Sequence, residues 1–236
     1  MENNGIYLVT GASRGVGRAT ALSLAIDHGR AVLAISRSAA GLEALAEEVG
    51  PGAGSLIPIV ADLTQLADQE AIKMAVAGRR IAGLVNNAGM LIKRPFMEWT
   101  VQDLAQLYAV NVIAPVSLVR TLLHELQGDP PAHVVNIGSM GGFQGSPKFP
   151  GLAGYSASKA ALANWSESLA VELGSLGIRC NCLALGAVDT EMLREAFPGY
   201  SAPLSAEDMG RFVARFALEG HHFFNGKVLP VAISTP

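Results

Sequence analysis

Tyr155 and Lys159 stand four residues apart in Tyr155-Ser156-Ala157-Ser158-Lys159, at the start of a strongly helical segment. That spacing puts both side chains on one helix face, where they can converge on one space. A free tyrosine releases its proton only near a pKa of about 10, but a neighbouring ammonium stabilises the phenolate and makes the hydroxyl usable as an acid or base. Such a pair is either an acid/base couple or a surface contact, and its surroundings decide between them. Ser139 ends the apolar run Asn136-Ile137-Gly138-Ser139. Its hydroxyl either donates to a carbonyl on which negative charge develops or forms a turn. Asn111, in Tyr108-Ala109-Val110-Asn111-Val112, is awkward on a buried helical face unless its amide meets a partner or its backbone carbonyl holds a water.

A second constellation lies near the start of the chain. Thr10-Gly11-Ala12-Ser13-Arg14-Gly15-Val16-Gly17 follows a short apolar run and opens a helical pattern, so its backbone N–H groups and helix dipole suit an anionic pyrophosphate. The same glycines also serve a strand and helix that merely pack closely. The turn after the next strand, where a carboxylate would grip the adenosine ribose hydroxyls of NAD, carries Ser36-Arg37 instead. A guanidinium there binds a 2′-phosphate, Ser36 adds a donor and Arg14 is a second cation within reach, so the expected cofactor is NADP(H). Either arginine read singly is also an ordinary solvated charge. Asp62, with Leu63 beside it, meets the adenine amino group or caps the helix expected near Thr64. Asn86-Asn87-Ala88-Gly89 lines the cofactor floor or ties loops together.

These residues need a scaffold that brings strand ends together. Short aliphatic runs alternate with alanine- and leucine-rich helical stretches, the rhythm of βαβ units and a parallel sheet. Seven strands are expected: Ile6 to Thr10, Ala31 to Ser36, Leu56 to Val60, Gly83 to Asn86, His133 to Ile137, Ile178 to Ala184 and Lys227 to Val231. Helices are expected over Gly15 to Asp27, Ala39 to Val49 before the Pro51-Gly52-Ala53-Gly54 break, Val101 to Leu126 and Tyr155 to Leu173, with weaker patterns over Thr190 to Ala196 and Ser205 to Leu218. The fold class is α/β, a doubly wound Rossmann fold with a seven-stranded, mainly parallel sheet. Residues 1–236 read as one domain, without repeats, linkers or low-complexity segments.

Half of the residues are hydrophobic and 16% are charged, outside the regime of disorder. A formal net charge of -3 gives no cationic field for nucleic acid. No cationic leader and no uninterrupted apolar stretch of roughly 20 residues is seen, so the expectation is a cytoplasmic protein without a membrane partner. Cys180 and Cys182 are two apart on a strand, too far for an unstrained bridge, and read as small buried hydrophobes. No Cys or His spacing suggests a metal. His28, His124, His133, His221 and His222 read as surface or structural residues.

Taken together, Thr10-Gly11-x-x-x-Gly15-x-Gly17, Asp62, Asn86-x-Ala88-Gly89, Asn111, Ser139 and Tyr155-x-x-x-Lys159 resemble the short-chain dehydrogenases/reductases of the short single-domain type over nearly the whole chain. The resemblance implies Asn111, Ser139, Tyr155 and Lys159 as the catalytic group. It also implies that Lys159 holds the nicotinamide ribose, that Asn111 holds a water leading to Lys159, and that the protein is a homodimer or homotetramer. The dinucleotide is then expected to meet Gly11, Ser13, Arg14, Gly15, Val16, Gly17, Ser36, Arg37, Asp62, Leu63, Asn87, Ala88, Gly89, Tyr155 and Lys159, with Val188 and Thr190 at the nicotinamide amide. Two departures stand out: Leu185 replaces the family's proline before Gly186, and the usual glycine-rich tail is missing from Val231-Ala232-Ile233-Ser234-Thr235-Pro236. A glycine- and proline-rich loop with Phe143, Gln144, Phe149 and Leu152 is expected to wall the substrate pocket, and a partly apolar lid is expected around Met192, Leu193, Phe197 and Tyr200. The expected reaction is hydride transfer between NADPH and a ketone or aldehyde, or its alcohol, with Tyr155 as general acid/base. The rivals are a dinucleotide-binding sensor or regulatory protein on the same fold, and a sugar-nucleotide epimerase or dehydratase. The shortness of the chain after Thr190 speaks against the latter.

Overall fold

The structure is a computed structural model that describes residues 5–50 and 54–234; most of the Pro51-Gly52-Ala53-Gly54 break and the last two residues of the C-terminal segment lie outside them. Seven strands form one parallel sheet: β1 (Ile6–Thr10), β2 (Ala31–Ser36), β3 (Ser55–Val60), β4 (Ile81–Asn86), β5 (Ala132–Ser139), β6 (Ile178–Leu185) and, last in the chain, β9 (Val228–Val231). Their order is β3-β2-β1-β4-β5-β6-β9. The chain first winds outward from β1 to β3 and then restarts on the other side of β1 at β4. The crevice between β1 and β4 is therefore the topological switch point at which doubly wound folds bind ligands.

Helices cover both faces. On one side α1 (Gly15–Leu22), α2 (Ala39–Val49) and α9 (Ala206–Glu219) bury Leu42, Leu45 and Val213 against Val9, Val32 and Val135. On the other, α3 (Leu66–Val76), α5 (Ala114–Thr121) and α7 (Ala153–Glu172) bury Ile72, Leu118 and Leu169 against Leu8, Leu33 and Val134. Each fully buried aliphatic side chain of this kind contributes roughly 1.5–3 kcal/mol. Because β1 and β4 are buried along their whole length, they read as continuous apolar runs rather than alternating ones. The edge strands β3 and β9 instead carry Pro58 and Pro230, residues that lack an N–H and are tolerated only where a ladder bond can be spared.

Most expected elements form within a residue or two of their expected limits. Val101 to Leu126 is not one helix: α4 (Val101–Tyr108) passes through a π-helical turn, Ala109–Ile113, into α5, and α6 (Leu123–Leu126) follows. Pro115 has no N–H to offer the carbonyl four residues earlier, that of Asn111, and the wider turn accommodates the loss. The Gly15 to Asp27 helix likewise ends in a π-helical turn at Ser23–Asp27. Residues Val101–Thr121 are long and apolar enough to cross a membrane by length and composition. Here Leu107, Val112, Leu118 and Val119 are buried in the protein. Two short strands, β7 (Val188–Asp189) and β8 (Leu204–Ser205), flank α8 (Glu191–Ala196).

Candidate active site

The glycine-rich turn is built for a ligand that touches the main chain. Gly11 and Gly15 have φ of +66° and +57°, and a Cβ on Gly17 would lie 2.2 Å from the Asn87 amide nitrogen. Arg14 stands at the N-cap of α1 without a side-chain bond to the helix, and the first turn holds no acidic residue. Its N–H groups and positive dipole end therefore face the crevice unanswered by the protein, and the cradle fits a dinucleotide pyrophosphate. Asn87 ties the loops together: its side-chain amide donates to Thr10 O at 2.9 Å and Gly11 O at 3.2 Å. The Thr10 hydroxyl accepts from Asn87 N and Ala88 N, both at 3.0 Å, a hub that the sequence motif did not single out.

At the end of β2, the Ser36 hydroxyl donates to Ser13 Oγ at 2.8 Å, and Arg37 is exposed at the rim. Arg14 does not reach toward Arg37 but forms an ion pair with Glu191 on α8. Asp62 Oδ1 accepts from Thr64 N at 2.9 Å and from the Thr64 hydroxyl at 2.8 Å. Those bonds, with the Arg37 charge, hold its carboxyl below the usual range. Because α3 begins only at Leu66, Asp62 closes a turn ahead of the helix rather than capping it.

Across the switch point, Tyr155 lies in the first turn of α7 and Ser139 ends β5, and both line the same cleft. Burial pushes the Tyr155 phenol up, against the opposing effect of the Ser139 hydroxyl. The Lys159 ammonium, one helical turn on, donates to Ile137 O at 2.7 Å. Burial lowers Lys159 to about 8. Asn111 is fully buried, and its amide has partners on two elements. Nδ2 donates to Met90 O and to the Ser158 hydroxyl, both at 2.9 Å, while Oδ1 accepts from Met90 N at 2.8 Å. The amide thus locks the loop after β4 onto α7. Ser158, its partner, escaped the sequence reading because a serine inside a helix gives no signal of its own.

The β6–β7 turn sits against the glycine-rich turn, with Thr190 Cγ2 3.4 Å from where a Gly15 Cβ would be. Its lost proline is replaced by outside bracing. Gly186 N donates to Val231 O at 2.9 Å and Ala187 N to Ser234 O at 3.2 Å, so the C-terminal segment props the turn that carries Val188 and Thr190. A single cleft of about 810 Å³ is lined by every residue expected to bind cofactor except Gly17, together with Ser139, Tyr155 and Lys159; Asn111 supports it from behind. Met90, Leu91 and Met140 also line it without having been expected, together with Met192 and Leu193 of the expected lid. Of the expected wall, Phe149 and Leu152 line it, whereas Phe143 and Gln144 do not. Phe149 meets Phe197 edge-on at 5.3 Å between ring centres. Lys93 donates to Ala196 O at 2.6 Å and lies 5.0 Å from the Phe197 ring centre, pinning the far end of α8. Tyr200 turns instead to the Ser234 hydroxyl at 2.9 Å.

The two buried cysteines are free, and among the described residues no cluster of His, Cys, Asp or Glu is arranged to hold a metal.

Residues 5–201 match the family described as short chain dehydrogenase. The 3-oxoacyl-[acyl-carrier-protein] reductase FabG of Pseudomonas aeruginosa is 30% identical over 96% of this chain and 95% of its own. A short chain dehydrogenase from Burkholderia cenocepacia, solved in complex with NADP, superposes with a TM-score of 0.85 at 27% identity over 97% of this chain and 96% of its own. A 3-ketoacyl-(acyl-carrier-protein) reductase from Brucella melitensis, complexed with NADH, does so with a TM-score of 0.83 at 26% identity over 96% of both chains. A dinucleotide cradle at the switch point and a tyrosine, serine and lysine across it thus coincide with sequence likeness along nearly the whole chain, and the protein belongs to the short-chain dehydrogenase/reductase family of oxidoreductases.

Proposed function

We propose that the protein is an NADP(H)-dependent oxidoreductase that interconverts a small ketone or aldehyde and its alcohol, with Tyr155 as the general acid/base. The observation that carries this reading is the placement of the Tyr155 and Ser139 hydroxyls in the same cleft as the unanswered N-terminus of α1. When bound, the nicotinamide supplies or accepts the hydride. In reduction, Ser139 donates a hydrogen bond to the carbonyl oxygen, and Tyr155 delivers its proton there as charge develops. Lys159 carries the positive charge beneath the tyrosine and offers donors to the ribose, while Asn111 holds the loop and helix in register. The phosphate preference is supported by Ser36 and Arg37 at the end of β2, where no carboxylate stands. Asp62 and Leu63 serve the adenine, and Val188 and Thr190 the nicotinamide amide.

The solvent-facing sides of α4 and α7 support a homodimer or homotetramer, because Val101, Trp165 and Val171 are exposed there. The free, buried cysteines agree with a cytosolic setting.

The decisive experiment follows NADPH consumption over a panel of carbonyl compounds with wild type and Tyr155→Phe. Turnover by wild type should fall by about 10²–10⁴ in the variant, with NADPH binding retained. An equally active variant would remove Tyr155 from the mechanism.

A further inference from the structure

We propose that Glu191 is a specificity-determining residue, one that sets how strongly the enzyme prefers NADPH over NADH by holding Arg14 away from the 2′-phosphate. This rests on the NADP(H) reading above. Arg14 belongs to the glycine-rich turn and Glu191 to the first turn of α8, so their ion pair bridges the two walls of the cofactor cleft, which both residues line. Both side chains are more than half exposed, at 68% and 57%. The pair is therefore weak and exchangeable rather than a fixed strut.

A second partner competes for the same guanidinium. Arg14 follows Ser13, whose hydroxyl is bonded to Ser36 at the end of β2, so the turn that carries Arg14 is joined directly to the phosphate end of the cleft. A phosphate carries more charge and more acceptor oxygens than a carboxylate and takes arginine in a bidentate grip. When Arg14 swings to it, the Glu191 pair must break. NADH has no 2′-phosphate and leaves the pair intact. Part of the phosphate's binding energy is thus spent on separating Arg14 from Glu191, and discrimination between the two cofactors is smaller than Arg14 and Arg37 alone would give.

The lid survives the exchange because it has other anchors. Lys93 and Phe149 hold the far end of α8 through Ala196 O and Phe197, and Thr190 caps its start by accepting from Leu193 N at 3.3 Å. None of these contacts involves Arg14. The change therefore falls on cofactor choice and not on lid integrity.

The test is a fluorescence titration of NADPH and NADH against wild type, Glu191→Gln, Arg14→Ala and the double variant. Glu191→Gln should tighten NADPH about two- to fivefold, the range of an exposed ion pair, and change NADH by less. Arg14→Ala should weaken NADPH selectively, and in that background Glu191→Gln should leave the NADPH/NADH ratio unchanged. A Glu191→Gln effect equal on both cofactors, or one that persists without Arg14, would overturn the proposal and reduce Glu191 to a negative charge near the pyrophosphate. A wild type that binds NADH more tightly than NADPH would instead overturn the phosphate reading itself.

Discussion

Lys159 is buried and Tyr155 half-buried, and burial acts on them in opposite senses. It disfavours the phenolate and so raises the tyrosine, and it disfavours the ammonium and so lowers the lysine to about 8. The proposed reduction needs a protonated tyrosine and a charged lysine. The first condition holds throughout neutral pH, so the lysine sets the alkaline limit. We expect kcat/KM for carbonyl reduction to be flat below neutrality and to fall as pH rises through about 8. Lys159→Arg, charged at every accessible pH, should move that descending limb upward while lowering the plateau. A limb unmoved in Lys159→Arg would assign it to another group. The spacing of the two residues was legible in the sequence; the turning of Lys159 Nζ toward Ile137 O was not, because that carbonyl lies on a different element.

At the scale of elements, the site depends on turns that lean on distant segments. The β6–β7 turn lacks the family's proline and is instead packed against the last described residues. A Cβ on Gly186 would lie 2.5 Å from Ala232 Cβ and 2.7 Å from Ser234 O. Gly186→Ala should therefore displace the turn bearing Val188 and Thr190, at a cost of about 1–3 kcal/mol, and raise the KM for cofactor more than it lowers kcat. Gly174→Ala is the control, since only the Asn225 side chain lies within reach of its Cβ, at 4.0 Å. Thermal melts and cofactor titration of both variants check this expectation. The π-helical turn at Ala109–Ile113 belongs to the same scale. Pro115 was visible in the sequence, but a proline allows a kink, a stop or a widened turn, and only the packing of Asn111 between Met90 and Ser158 selects among them.

At the scale of the whole molecule, His133 registers how the far side of the sheet is closed. It is fully buried on β5, with Nδ1 3.2 Å from Ala217 O and Nε2 facing the Asn181 amide at 3.0 Å. That arrangement fixes a neutral imidazole. Burial, with the nearby His221 and His222, pushes its pKa down to about 3, and Arg80 and Arg179 act in the same sense on His221. The unfolded chain takes up the proton first as pH falls, so stability should decline from about pH 6.5 towards about pH 3, by a few kcal/mol in all. Denaturant midpoints measured across this range should show the decline, and His133→Gln should flatten it. An unchanged slope in the variant would place acid sensitivity elsewhere. His133 had read as an ordinary structural or surface residue, and its burial came from the docking of α9 and the residues after it.

Local information was enough for the strand and helix rhythm, the parallel sheet, the glycine-rich turn and the Tyr155–Lys159 pair. Periodicity, β-branching and turn chemistry act within a few residues, and they place these groups at strand ends whatever the rest of the chain does. Tertiary structure alone decided where the charged and amide groups find partners. It paired Arg14 with Glu191, closed the Asn111 bonds onto Met90 and Ser158, turned Lys159 toward Ile137 and replaced a missing proline with the C-terminal segment. Each of these contacts joins residues that are far apart in the chain or lie on different elements. Their energies depend on distance and burial, which no local pattern encodes.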